Sequence, residues 1–207
     1  MKSISAEYLN PKMRSQIKYV FSILCLFLFG SFKNSDPTII DKLEAQNAFL
    51  YLTEVRDNPD KFSSELNYKK GLKVSGVKLR WNDTLTKVAE QKAQDMATRN
   101  YFGHVDPSGY GMNYFINKSG YRLDPAWLKL KSDNYFESLA ANHSSGIDMI
   151  KALIIDKQTP SLGHRIHLLG LNEWNATLGD IGIGFSRRNS GSNYKTYICV
   201  IIAKHNW

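Results

Sequence analysis

"IGIGFSRRNSGSNYKTYICVIIA", Ile181 to Ala203, changes its period halfway along. Ile181–Phe185 alternates, Ser186–Asn193 is a polar, Asn- and Ser-rich turn, and Tyr197–Ala203 is apolar without a break. Alternation marks a strand with one covered face, whereas an unbroken β-branched run marks a strand covered on both. The stretch therefore predicts a hairpin whose second strand, Tyr194–Ala203, needs a layer on each side.

Helical patterns upstream can supply those layers. After Trp81-Asn82-Asp83, the residues Leu85, Val88, Ala89, Ala93, Met96 and Ala97 form an apolar stripe at helical spacing, predicting a helix over 84–100. Asp36-Pro37 reads as an N-cap with proline at the first helical position, predicting a helix over 37–56. Ser145 and Asp148 have capping-box spacing and open a helix over 146–156, with Pro160 beyond its end. Residues 58–78 are polar and carry Gly71 and Gly76, the pattern of a long connection. Helices before and strands after make an α+β chain, folded as an α–β–α sandwich.

The N-terminus differs in kind. Lys2, Lys12, Arg14 and Lys18 precede the apolar run Tyr19–Gly30, the pattern of a secretory signal. The run is short for a membrane span of about 20 residues. Residues 1–30 are read as a signal peptide or N-terminal membrane anchor, 31–36 as a linker and 37–207 as the domain. Phe29 and Phe32 disturb the small-residue cleavage pattern, and Leu24 precedes Cys25 where a lipidation site wants a small residue. Cleavage, anchoring and lipidation all stay open, and membrane association through this segment is one of them. The expected location is secreted or cell-envelope.

The chain is +8 at pH 7, and removing residues 1–30 with their four cations and Glu7 leaves +5. No dense Lys/Arg tract with interleaved aromatics is present, so nucleic acid is not an expected partner. Without Cys25, Cys199 stands alone and no internal disulfide can form, which suits a bacterial envelope protein.

Four residues at the ends of these elements are candidates for a polar site: His104 in the loop "YFGHVDPSGYGMN", Glu137 in "NYFESLA", Asp156 and His164. Two imidazoles and two carboxylates suit zinc or another divalent ion, with His104 and His164 as ligands and the acids bound directly or through water. Spacing alone does not assemble them. Glu137 can also be read as a helix-capping carboxylate and Asp156 as a solvated helix end. Cys199, inside an apolar strand, is poorly placed for a reactive thiolate. No G-x-S-x-G or H-E-x-x-H motif is present.

The ordered set "LRWNDTLTKVAEQKAQDMATRNYFGHVDPSGYGMN", "NYFESLA", "GHRIHLLG", "IGIGF" and "YICVIIA" resembles the CAP superfamily, the cysteine-rich secretory protein, antigen 5 and pathogenesis-related 1 group. It is most similar to the bacterial, disulfide-free branch, over roughly residues 37 to 207. The resemblance implies a three-layer α–β–α sandwich with a central, mainly antiparallel sheet. It also implies a cleft with two His and two acids, onto which His104, Glu137, His164 and Asp156 map. Phe136 and Ser138 replace the usual neighbours of the family's Gly-Glu-Asn acid, and Asp156 stands where a Glu is usual. Arg56 matches the arginine of the first helix. His164 is the functional histidine of "GHRIH" by this mapping, and His167 packs or hydrogen-bonds nearby. The implied function is a non-enzymatic binding module for a small-molecule, lipid or envelope partner. A hydrolase using the same cleft and a structural domain with a vestigial site are the alternatives.

Overall fold

The computed structural model describes residues 37–205, so the apolar run, the linker and Asp36 lie outside the described residues. Strand β1 is Ile39–Ile40, followed by helix α1, Lys42–Asp57. A four-residue helix α2, Pro59–Phe62, opens the polar connection, which leads to strand β2, Arg80–Trp81. Helix α3 is Asp83–Thr98, α4 is Met112–Lys118 and strand β3 is Glu137–Ala141. Helix α5, Gly146–Ile155, and helix α6, Gly163–Leu169, precede the hairpin of β4, Asp180–Arg187, and β5, Thr196–Ala203.

The sheet runs β1-β4-β5-β3, with β2 also on β4. All pairings are antiparallel except β2 with β4. Every residue of β5 is buried, because it lies between two strands and under helices on both faces. α3 covers one face; α1, α5 and α6 form the other layer. This is the expected α–β–α sandwich.

The register explains the glycines of "IGIGF". Gly182 and Gly184 point at α3, where an added Cβ would meet helix backbone at Leu85–Thr86 and Ala89–Glu90. Alternation here thus places glycines on one face to admit a helix at close range, while Ile181, Ile183 and Phe185 are buried too. The apolar stripe of α3 is buried as expected, and Asn82 caps it by accepting the Leu85 N–H.

Two expectations need correcting. The first helix starts at Lys42, capped by Asp41, which accepts the Glu44 N–H at 3.2 Å. Ile39–Ile40 is instead paired with Ser186–Arg187, and Arg187 fixes this by bridging Asp41 and Glu44, each at 2.9 Å. Tertiary pairing overrides the helical start suggested by Asp36-Pro37. Glu137 is no helix cap, since it opens strand β3 opposite Ile201.

Gly184→Ala should cost about 3 kcal/mol or more in denaturant unfolding, because the clash is with backbone that cannot rotate away. Gly76→Ala, which meets nothing within 4 Å, should be nearly neutral. Comparable losses at the two positions would contradict this packing.

Candidate functional site

The first half of the site is His104 with Glu137. The loop carrying His104 is pinned at several points. Arg99 pairs with Asp95 and Asp106, and Asp106 in turn accepts the N–H groups of Ser108 and Tyr110. The Lys92 ammonium, buried under the loop, donates to the His104 carbonyl at 3.1 Å and to the Tyr101 hydroxyl at 3.3 Å. Glu137 has a fully buried side chain, while that of His104 is 46% exposed. His104 Nδ1 lies 2.8 Å from Glu137 Oε2, which also accepts from Asn134 Nδ2 at 3.3 Å. The Cys199 thiol donates to Glu137 Oε1 at 3.5 Å. Burial and then the charge of Glu137 push that thiol well up, so it is no nucleophile.

The second half is His164 with Asp156. Asp156 ends α5 in the left-handed region, φ +49, which Asp tolerates better than most residues. From there its carboxylate turns onto the start of α6: Oδ2 accepts the His164 N–H at 2.9 Å and Oδ1 lies 2.8 Å from His164 Nδ1. Burial works to raise the pKa of Asp156. The hydrogen bonds from His164, Thr159 and the Arg165 backbone overcome it and hold the carboxyl below its ordinary value. Asp156 is thus a buried linchpin between two helices and not a solvated helix end.

In both pairs a carboxylate takes Nδ1–H, so Nε2 is the nitrogen left with a lone pair toward a ligand. The pairs reach the site from different layers. Glu137 shares its sheet face with Cys199 on the α3 side, while Ser138, on the other face, meets His167 of α6 with 2.7 Å between Ser138 Oγ and His167 Nδ1. The charges of His104 and His164 both act on His167.

A cleft of about 540 Å³ runs along the free edge of β3. Phe102, Leu139, Ala141, Leu153, Ile155 and Tyr194 give it apolar lining, and Asp156 and His164 line it too. His104 and Glu137 are not part of this lining. Of the four expected residues, the structure joins two pairs, His104 with Glu137 and His164 with Asp156. A zinc site uses three or four converging donors. Among the described residues no group of three His, Cys, Asp or Glu side chains is arranged to hold a metal.

The model of the CAP, or Cysteine-rich secretory protein, family matches residues 73–202, well over half of the chain. The chain belongs to this family. Among solved structures, the CAP domain described here is similar to an extracellular protein containing an SCP domain from Bacillus anthracis str. Ames, solved at 1.5 Å. That likeness is 20% identity and a TM-score of 0.44, covering 77% of this chain and 41% of the other, so this chain spans less than half that protein's length. No curated protein matches.

Several residues of this CAP domain's site escape sequence reasoning. Asn134 and Ser138 flank Glu137 without any motif to mark them. Lys92 did carry a signal, since it is a lysine one turn beyond Val88 on the buried stripe of α3. His167 behaves as expected of a packing residue. Burial pushes its pKa from 6.5 down to about 3; the Ile202 carbonyl pulls the other way, and the charges of Arg56, His164 and His104 add to the depression.

This sets a pH dependence. The unfolded chain takes up a proton near pH 6.5 that folded His167 refuses until about 3. The stability it contributes is complete above 6.5 and is lost as pH falls from there, at up to about 1.4 kcal/mol per pH unit. Urea unfolding between about pH 7 and 4.5 should show a slope shallower by roughly that amount in His167→Asn. Parallel slopes would contradict a buried neutral imidazole.

Proposed function

We propose that this CAP domain is an exported binding module whose cleft takes an amphipathic small molecule or lipid. The observation that supports it is the cleft itself, whose apolar lining is joined by the Asp156–His164 pair. An alkyl or other apolar body lies along this lining, and a hydroxyl group donates to Nε2 of His164. Binding needs only complementarity of this kind, apolar lining with a few fixed polar groups. The cationic flank and apolar run at Lys2–Gly30 support an extracellular or envelope location.

Hydrolysis is the second reading, favoured by one feature: the half-exposed His104 backed by buried Glu137 is a general-base arrangement. Glu137→Gln separates the two, abolishing turnover of an ester substrate if the pair is catalytic while leaving cleft binding in place.

A fluorescent long-chain alcohol titrated into the protein should bind saturably. His164→Ala should weaken it by about tenfold, a lost hydrogen bond to the polar group. Ala152→Trp, placed in the cleft wall, should remove it. Binding that neither change alters would sink the proposal.

A further inference from the structure

Away from the cleft, Arg56 is a buried guanidinium in an unusual state. Its Nε donates to the Leu168 carbonyl at 2.7 Å, a strong bond that anchors α6 to α1. The other end of the fork is nearly idle. Nη1 reaches the Val77 carbonyl only at 3.5 Å, the limit of a hydrogen bond, and Nη2 is buried with no partner. Among the described residues no carboxylate pairs with it. Burial alone, with no counter-charge, pulls its pKa down to about 10. Thr53, one turn earlier on α1, has a buried hydroxyl that also lacks a partner.

Both residues line a pocket of about 490 Å³ between the end of α1 and the segment Leu72–Leu79. The same pocket carries Lys73 and Lys78, while Asp57, its one acid, is held by Lys78 at 2.6 Å. A buried charge without a counter-ion is costly, and an idle donor fork beside a hydroxyl and a lysine is the chemistry that takes an oxyanion end-on.

We propose that this pocket binds a small oxyanion, phosphate or carboxylate, bidentate on Nη1 and Nη2 of Arg56 and hydrogen-bonded by the Thr53 hydroxyl. The occupant exchanges the long Nη1 bond to Val77 for a charge-assisted one, and the segment pivots outward at residues 76–78 to admit it. Ser75 remains its fixed point, donating its N–H to Leu169 at 3.0 Å and its hydroxyl to Ala176 at 2.8 Å. The oxyanion can be a free ion or the headgroup of an anionic lipid, and the two sources are separable.

The test titrates inorganic phosphate, and separately acetate, into the full-length protein at constant ionic strength, following the Nε–Hε and guanidinium NMR resonances of Arg56 against a chloride reference. A saturable response to phosphate or acetate and none to chloride is expected. Thr53→Val, which keeps the shape and removes the hydroxyl, should weaken it about tenfold. Lys118→Ala, outside the pocket, should leave it unchanged. A response confined to anionic-phospholipid vesicles, absent with zwitterionic ones and weakened by Thr53→Val, assigns the oxyanion to a headgroup. No saturable response to anions or vesicles, or one that Thr53→Val leaves intact, overturns the proposal. Binding of a long-chain alcohol in the cleft is independent of every readout.

Discussion

Strand β5 has no residue that can face water, and that constraint organises the domain. It must be flanked by strands and roofed on both faces, which places β4 and β3 beside it and helices above and below. The roof on one side is unusually close: Gly182 and Gly184 let the backbone of α3 approach the sheet with no side chain between. With β5 central, β3 becomes an edge strand, and its pleat sends Glu137 to the α3 layer and Ser138 to the α6 layer. The cleft is the space along that edge.

Burial of two carboxylates gives the site its character. A buried carboxylate is stable only when donors surround it. Glu137 collects His104, Asn134 and the Cys199 thiol, and Asp156 collects His164, its backbone N–H and that of Arg165. The same bonds that satisfy the acids orient the imidazoles. Asp in place of Glu at 156 follows from the backbone there: the left-handed C-cap suits Asp, and the short side chain reaches the next helix directly.

Much of this was legible in the residues. The period change at Ile181–Ala203 and the stripe of α3 gave the layers, and Ser145 gave the start of α5. The resemblance placed His104, Glu137, Asp156 and His164 together, but not their division into pairs. That division depends on strand register and on Asp156 turning back across a loop, neither of which has a local signature. Strand β3 was missed because "ESLAA" is short and opens on a charge. Helix α6 was missed because its cap comes from Asp156, eight residues before His164, while Leu162 sits in the left-handed region with no capping side chain. Ile39–Ile40 carries a helical pattern because the residue that holds it in the sheet, Arg187, is far along the chain.

Buried carboxylates hold Nδ1 of both His104 and His164 and leave Nε2 toward a ligand. Long-range proton–nitrogen NMR of the imidazole rings at alkaline pH, where neutral tautomers are read directly, tests it. The Nδ1–H tautomer is expected for both residues, and Glu137→Gln and Asp156→Asn should each erode that preference only at its own histidine. Finding the Nε2–H tautomer at His104 and His164 in the unaltered protein would contradict it.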